Sequence, residues 1–365
     1  MSNTIRIALI GGGAGIAPTH LAAIAALANA ELVGISDVSA ERAAPRAALA
    51  QVPLFDNHQA MLRAVRPDLV AICTPHPSHA VLAMECLAAG AHVLVEKPLA
   101  VEVAEADLMI AAAAAAGRLI AVSYQQRFRA EVALAHELIT AGTLGTLVRV
   151  HCVEPWFRTA AYYRSAGWRG SWRGEGGGVL MNQAPHTLDL VCYLAGRPTR
   201  VWGATSTLHH AITAEDTAHA LLSFAGGAPG YFFTSTAESG EQLLEIVGDR
   251  ASIRLQSGKL TLTRFQPTQL EQLRGAANPF EGPIKSVEEL SPPTAGVGGH
   301  HAVYADVVQA ICTGGQPRCD GRSARASLEL ANAIVLSSYS ERPIDLPLDR
   351  AAYSALLTEL RAREE

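Results

Sequence analysis

The strongest constraint on the fold is the alternation, over residues 1–123, of short β-branched runs with alanine- and leucine-rich stretches. The runs are almost entirely apolar, which is typical of strands buried on both faces. Strands are predicted at Ile5–Ile10, Glu31–Ser36, Asp68–Cys73, His92–Val95 and Leu119–Ser123. Helices are predicted between them at Pro18–Ala28, Ala40–Ala50, His79–Ala89 and Val101–Ala116. Strands separated by such helices indicate parallel β-α-β units, and hence an α/β domain of the Rossmann type.

The pattern changes after residue 123, where strand-like runs joined by turns follow one another without helices. They lie at Val201–Leu208, Thr217–Phe224, Gly230–Ala237, Gln242–Val247, Ala251–Leu255 and Leu260–Arg264. A helix at Ala130–Thr140, a strand at Leu147–Glu154 and a helix at Met181–Leu194 precede them, and helices near His301–Thr313 and Arg322–Glu341 follow. The sequence therefore predicts an α+β domain over residues 124–365 with a large, mainly antiparallel open sheet. One free sheet face needs a cover, so we expect a homodimer or homotetramer formed through this sheet.

Composition limits the partners and the compartment. The net charge of −5 gives no attraction to nucleic acid or to an anionic membrane. The 6 cysteines form no CxxC pair, which favours reduced thiols over zinc ligands or disulfides, so no metal is expected. No signal peptide and no membrane-spanning apolar run are visible. We expect a cytoplasmic protein that binds a small molecule.

The first predicted strand ends in a glycine-rich run that opens a helix. Candidate anion-binding positions in it are Gly11, Gly13, Ala14, Gly15 and Ile16. Glycine lets the backbone approach a ligand closely, and free N–H groups at a helix N-terminus face an anion, so the run can cradle a pyrophosphate. Because Ile16 stands where a third glycine is usual, an ordinary tight turn remains an alternative.

Asp37 strengthens the nucleotide interpretation because it ends the second predicted strand. A carboxylate there accepts hydrogen bonds from the adenosine ribose and repels a 2′-phosphate. The sequence therefore favours NAD over NADP, although Arg42 lies close enough to keep NADP as an alternative.

Later motifs are more specific. They are Thr74-Pro75 with His79, the run from Gly90 to Glu96-Lys97-Pro98, Tyr124 to Phe128, Gly176-Gly177-Gly178 with His186 and Asp189, and His300. Over nearly the whole chain these motifs resemble the glucose–fructose oxidoreductase / inositol dehydrogenase / MocA (Gfo/Idh/MocA) family. The resemblance implies a two-domain dehydrogenase whose nicotinamide lies between the domains.

The resemblance also implies roles for individual residues. Cofactor contacts are implied for Thr74, Pro75, His79, Glu96, Lys97 and Gln125, and substrate contacts for Lys97, Arg127, Asn182, His186 and His300. Lys97 would hydrogen-bond the reacting oxygen, and His186 would exchange its proton.

The chemistry of alcohol oxidation fits those roles. A histidine titrates near neutrality and suits the transfer of the hydroxyl proton, while a fixed ammonium stabilises the developing alkoxide. Helical spacing puts Asn182, His186 and Asp189 on one face of the predicted helix. Many relatives have Asp at the position of Asn182. Because an amide cannot ionise, more of the acid–base work is left to His186.

The loop from Tyr162 to Arg173 combines aromatic and arginine side chains just before the predicted catalytic helix. Aromatic faces stack on sugar C–H surfaces and arginines bind hydroxyl groups, so Tyr163, Trp168 and Arg169 are candidate substrate contacts. A contact between subunits is the alternative for this loop.

The sequence thus predicts an NAD(P)-dependent oxidoreductase that moves a hydride between a nicotinamide and a carbinol carbon of a sugar, sugar derivative or cyclitol. Two alternatives stay open. One is an NAD-dependent glycosidase that oxidises its substrate transiently, and the other is a non-catalytic sensor of NAD and sugar.

Overall fold

The computed structural model describes residues 4–292 and 298–364. The chain folds into two compact units. The first unit comprises Met1–Phe128, Arg173–Gly176 and Gly296–Leu328, and the second comprises Arg129–Trp172, Gly177–Ala295 and Glu329–Glu365. This division differs from a single boundary between residues 123 and 124, because two later segments pack into the first unit.

The first unit contains a parallel sheet flanked by helices. Its strands are β1 (Ile5–Ile10), β2 (Ala30–Ser36), β3 (Leu54–Phe55), β4 (Leu69–Ile72), β5 (His92–Val95) and β6 (Ile120–Val122). The helices that alternate with them are α1 (Ala17–Ala25), α2 (Ala40–Ala50), α3 (His58–Val65), α4 (His79–Ala88) and α5 (Val103–Ala116). The strand order is β3-β2-β1-β4-β5-β6, and each neighbouring pair is parallel. The predicted Rossmann fold is therefore confirmed, while β3 and α3 were not anticipated.

This strand order reverses direction at β1, since β2 lies on one side of it and β4 on the other. Helices on opposite faces diverge at such a point and leave a crevice at the carboxyl ends of the strands, where ligands of open α/β sheets bind. The glycine-rich run follows β1 directly, so it lies at this crevice.

The remaining elements begin with α6 (Ala130–Thr140), β7 (Leu147–Pro155), α7 (Ala160–Arg164), α8 (Val179–Asn182), α9 (Pro185–Ala195), β8 (Arg200–Ser206), β9 (Thr217–Ser223) and β10 (Pro229–Ser235). They continue with β11 (Leu243–Gly248), β12 (Ala251–Gln256), β13 (Lys259–Gln266), α10 (Gln269–Gly275), β14 (Ile284–Leu290), α11 (Gly299–Thr313), α12 (Gly321–Ser340), β15 (Ile344–Asp345) and α13 (Arg350–Ala362). The second sheet runs β14-β13-β12-β11-β7-β10-β9-β8-β15 among the described residues. Of the strand pairs described, only β7 and β10 are parallel, which confirms the prediction of a mainly antiparallel sheet.

The second sheet has one buried and one open face. Val201, Leu222 and Phe232 are buried on the first face. On the opposite face Trp202 is 56 % exposed and its cross-strand partner Leu221 is 61 % exposed. We call the surface formed by Trp202, Leu221 and Tyr231 the open face.

Further features of the fold were not predicted from the sequence. The stretch between residues 278 and 299 contains β14, an edge strand whose side chains are nearly all exposed. Helix α11 packs against α1 in the first unit, and its Tyr304 and Val307 join the core around Ile7 and Leu9. The nucleotide-binding unit is therefore completed by a late segment of the chain. Within the described ranges, no helix combines the length and apolar character needed to cross a bilayer.

Candidate active site

The glycine loop after β1 is shaped by close backbone packing. Gly11 has a φ of +92°, and a Cβ there would lie 2.9 Å from the carbonyl oxygen of Cys73. A Cβ at Gly13 would lie 2.9 Å from Oδ2 of Asp37. Beyond these tight positions Gly15 is exposed, and a Cβ there would meet nothing within 4 Å. The outer side of the loop thus leaves room for an anion in front of the first turn of α1.

Two side chains from the region after β2 hold the same loop. The carboxylate of Asp37 accepts hydrogen bonds from the backbone N–H of Gly13 at 2.6 Å and of Ser39 at 2.7 Å. Arg46 donates to the carbonyl oxygens of Gly12 and, at 2.8 Å, of Ala14. The role of Arg46 was missed because nothing in the sequence of α2 shows that its guanidinium turns back onto the loop. Hydrogen bonds with Asp37 and Arg46 therefore fix the backbone of the predicted pyrophosphate-binding loop. Ala14 and Ile16 of this loop are half-buried.

His79 joins two turns at the carboxyl edge of the first sheet. Its Nδ1 lies 2.9 Å from the carbonyl oxygen of Pro98 and its Nε2 lies 2.9 Å from that of Thr74. Burial lowers the pKa of this imidazole, and the two carbonyl oxygens oppose that shift. His79 is fully buried, so it positions the Thr74-Pro75 turn rather than offering its own ring to a ligand.

Lys97 follows β5 at the same edge. From Val93 to Val101 every residue is buried except Lys97, which is partly exposed. The preceding residue, Glu96, turns inward and its Oε1 accepts hydrogen bonds from Nε2 of His20 at 2.9 Å and from Nε2 of His300 at 3.3 Å. Burial alone would raise the pKa of Glu96, but the two imidazoles hold it well below its usual range.

Two of the predicted substrate contacts have partners inside the first unit. Nε2 of His300 lies 3.3 Å from Oε1 of Glu96. His300 is half-buried, and its contact with substrate remains a prediction. Arg127 is 1 % exposed and donates to the carbonyl oxygen of Arg318 at 2.7 Å and to Oγ of Ser323 at 3.0 Å. Because its guanidinium is enclosed, we do not carry Arg127 forward as a substrate contact. Gln125 lies half-buried in the same turn, and its cofactor role remains a prediction.

In the second unit, the segment from Gly177 to Val191 is buried except for Asn182 and His186. The predicted continuous helix is wrong here, because α8 ends at Asn182 and α9 starts at Pro185. Asn182 therefore lies on a different helix from His186 and Asp189, and Asp189, three residues after His186 on α9, is 0 % exposed. Pro185 in the first turn of α9 favours the start of a separate helix. Asp189 lies on the buried side of that helix.

Glu215 explains the glycine run before α8. It is 3 % exposed, and its Oε1 accepts the backbone N–H groups of Gly178 and Leu180, both at 3.0 Å. A Cβ at Gly178 would lie 1.8 Å from the carbonyl oxygen of Glu215, so glycine is required there. Sequence reasoning missed Glu215, since an acidic residue before a strand carries no signal of such a contact.

Another carboxyl lies beside the same helix. The pKa of Glu154, on β7, is raised to about 7 by burial, which outweighs a hydrogen bond from Thr187 and the charge of Arg129. Thr187 directly follows His186.

The loop of aromatic and arginine residues is folded onto itself. The guanidinium of Arg169 lies 4.2 Å from the ring centre of Tyr162 and 4.5 Å from that of Trp168, and it donates to the Tyr162 hydroxyl at 2.5 Å. The hydroxyl of Tyr163 lies 2.8 Å from Oγ1 of Thr236. The loop is thus preformed, and substrate contact by Tyr163, Trp168 and Arg169 remains a prediction.

A doubly wound sheet with a glycine loop at its switch point is the architecture of a dinucleotide-binding domain, and Lys97 follows β5 of the same sheet. Residues 5–124 match a family profile described as an oxidoreductase family with an NAD-binding Rossmann fold, and residues 132–254 match the GFO/IDH/MocA C-terminal domain. The chain belongs to the Gfo/Idh/MocA family.

Several members are similar along much of the chain. The WlbA dehydrogenase from Bordetella pertussis, solved with NADH and UDP-GlcNAcA, is 30 % identical with a TM-score of 0.81, covering 95 % of this chain and 100 % of that chain. D-apiose dehydrogenase of Paraburkholderia graminis is 28 % identical, covering 93 % of this chain and 89 % of the relative. D-glucoside 3-dehydrogenase of Escherichia coli is 32 % identical over 54 % of this chain, and the match spans only 56 % of the relative's length.

Proposed function

We propose that this protein is an NAD-dependent dehydrogenase of a sugar, sugar derivative or cyclitol. Lys97 polarises the substrate oxygen, and His186 exchanges its proton. One observation carries this proposal. In two otherwise buried segments, the residues left partly exposed are Lys97 in one and Asn182 with His186 in the other. A polar side chain kept accessible within a buried run is suited to meet a ligand.

The first unit has the features that NAD needs. The loop of Gly11, Gly13, Ala14, Gly15 and Ile16 leaves its outer side open for the pyrophosphate. Asp37, already fixed by the loop, supplies a carboxylate for the ribose, which is why we propose NAD rather than NADP. Thr74, Pro75 and Gln125 are proposed to line the nicotinamide end.

In oxidation, bound NAD would accept the hydride from the carbinol carbon. His186 removes the hydroxyl proton, a task that suits an imidazole because histidine side chains in general titrate near neutrality. The ammonium of Lys97 stabilises the negative charge that develops on the oxygen. Asn182 donates or accepts a hydrogen bond and fixes the orientation of the substrate without titrating.

The substrate class rests on two supports. The named relatives act on, or were solved with, carbohydrates. The second unit also carries Tyr163, Trp168 and Arg169 in a preformed loop, and aromatic faces are common sugar-binding surfaces. Trp168→Ala should raise KM several-fold with little change in kcat, and unchanged kinetics would remove the loop from the site.

The test is a panel of sugars, glycosides, sugar acids and cyclitols with NAD and NADP, followed at the nicotinamide absorbance band. We expect NADH formation with at least one member and its loss in Lys97→Met. Sugar release without net NADH would instead identify an NAD-dependent glycosidase. Full activity of Lys97→Met would contradict the mechanism.

We also propose a homodimer or homotetramer formed through the open face. Trp202 and Leu221 are large apolar side chains exposed side by side, and burying such a patch is favourable. Leu221→Glu should lower the oligomeric state in sedimentation experiments. The matched control is Val81→Glu on α4, a residue that is 56 % exposed away from this sheet. A cytoplasmic location remains a prediction.

A further inference from the structure

We infer that His20, His300 and Tyr304 are positioning residues that hold the carboxylate of Glu96 in place and, through it, orient Lys97. The inference rests on the proposed function of Lys97 and goes beyond it, since neither His20 nor Tyr304 belongs to any motif singled out in the sequence.

The four side chains come from three elements of the first unit. His20 lies on α1, Glu96 follows β5, and His300 and Tyr304 lie on α11. His20 is 1 % exposed and Tyr304 is 0 % exposed, so solvent cannot replace their hydrogen bonds. The contacts join Tyr304 to Nδ1 of His20 at 2.8 Å and Nε2 of His20 to Glu96 at 2.9 Å. Nε2 of His300 reaches the same carboxylate oxygen.

The donors and acceptors in this cluster fit an ionised Glu96. An ionised carboxylate only accepts, so both imidazoles must carry a proton on Nε2. The hydroxyl of Tyr304 can either donate to Nδ1 of His20 or accept from it. Each hydrogen bond to Glu96 is then satisfied while its carboxylate keeps the negative charge.

Other titratable groups face this charge. Cys73 follows β4, His76 and His79 lie at the start of α4, and Lys97 is the next residue along the chain. Burial lowers the pKa of His76 and of His79, so neither imidazole competes as a counter-charge. Lys97 directly follows Glu96 in the chain, so hydrogen bonds that fix the Glu96 carboxylate also restrict the backbone from which the Lys97 side chain extends.

The same atoms also allow a metal as an alternative. The ligand atoms of His20, Glu96 and His300 lie within 4.8 Å of one another. Among the residues that the structure describes, this His/Glu group has no fourth histidine, cysteine or acidic ligand. A buried metal would need further ligands to complete its coordination, whereas the hydrogen bonds already complete the cluster. Metal analysis of the purified protein separates the two assignments.

The experiment compares substitutions at His300. Leucine removes the donor to Glu96, whereas glutamine can place an amide N–H where Nε2 lies. We expect His300→Leu to lower kcat roughly 10- to 100-fold with KM nearly unchanged, as a small misplacement of a reacting group does. His300→Gln should recover most of that loss, and Tyr304→Phe should show a smaller one. The matched control is His58→Leu, because His58 also bonds a glutamate, Glu85, on the surface of the same unit.

A second readout needs no substrate. In ¹³C NMR with labelled glutamate, Glu96 should stay ionised through the ordinary titration range of glutamate, and in His300→Leu it should take up a proton at higher pH. An ordinary titration of Glu96 in the parent protein would overturn the inference. Equal losses in His300→Leu and His300→Gln, or a stoichiometric metal, would do the same. If no substrate is oxidised, the proposed function fails, while the titration still decides whether the cluster exists.

Discussion

Two buried segments, one in each unit, keep a polar side chain partly exposed, and different hydrogen-bond donors hold each segment in place. The segment from Val93 to Val101 keeps Lys97 partly exposed, and the segment from Gly177 to Val191 does so for His186. Each is held by a buried glutamate. Glu96 accepts hydrogen bonds from two imidazoles, whereas Glu215 accepts them from backbone N–H groups.

The two kinds of hydrogen-bond donor respond differently to substitution. Side-chain donors can be removed one at a time without changing the course of the backbone, so the surroundings of Lys97 are adjustable. Backbone donors cannot be removed, and buried N–H groups that lose their acceptor are costly. We therefore expect changes around Glu96 to act on activity first, and changes at Glu215 to act on folding first.

The largest expected effect is on the reacting groups themselves. Lys97→Met and His186→Gln should each lower kcat by about 10³-fold, the usual range for an acid–base group. Because the two groups are proposed to act on one oxygen, the double variant should be little worse than either single variant. Steady-state kinetics measure this. Losses that multiply in the double variant would show that the two residues act independently.

The second prediction concerns Glu215, whose carboxylate accepts hydrogen bonds from backbone N–H groups before and within α8. Glu215→Ala leaves the N–H groups of Gly178 and Leu180 without this acceptor and should lower the free energy of unfolding by about 3 kcal/mol. Glu215→Gln keeps one accepting oxygen and should cost less. Urea unfolding measures both. The control is Glu359→Ala, which removes an exposed ion pair with Arg363 and should cost little. If Glu215→Ala and Glu359→Ala lower the free energy of unfolding equally, Glu215 does not stabilise this backbone.

The third prediction uses Glu154, a buried carboxyl with fewer donors than Glu96. Its pKa of about 7 means that the folded protein keeps it protonated where the unfolded chain is ionised. The contribution of Glu154 to stability should therefore fall as pH rises from about 4.5 to 7, by at most about 3 kcal/mol. Glu154→Gln should flatten this fall. The pKa of Glu96 is depressed, so its contribution has the opposite sign and is lost as pH falls below its ordinary value.

Urea unfolding at pH 5 and pH 8 compares Glu154→Gln with the parent protein. Equal changes of stability in the parent protein and in Glu154→Gln between these values would mean that Glu154 does not contribute to the pH dependence. The number of donors would then not explain the contrast with Glu96.

The smallest expected effect is at Asp37, which accepts backbone N–H groups as Glu215 does and is also proposed to bind the ribose. Asp37→Ala should weaken NAD binding about tenfold, or roughly 1.4 kcal/mol, and narrow the preference over NADP. Asp37→Asn keeps an acceptor for Gly13 and should lose less. Fluorescence titration measures both affinities, and an unchanged ratio of NAD to NADP affinity would remove Asp37 from cofactor selection.

The sequence by itself determined the class of each unit. Apolar runs of fixed period and the positions of glycine and proline are local properties, so the parallel sheet, most strands of the second sheet and the glycine loop were predictable. The family motifs placed Lys97 and His186 in segments that the structure shows to be buried around them.

Only the tertiary structure decided which side chains support those segments. His20 and Tyr304, 284 positions apart in sequence, touch because α11 returns to pack on α1. Glu215 meets Gly178 across 37 positions, and Arg127 turns inward to bind a carbonyl oxygen. Such contacts depend on where distant elements meet, and the pattern of one strand or helix does not encode the place of another.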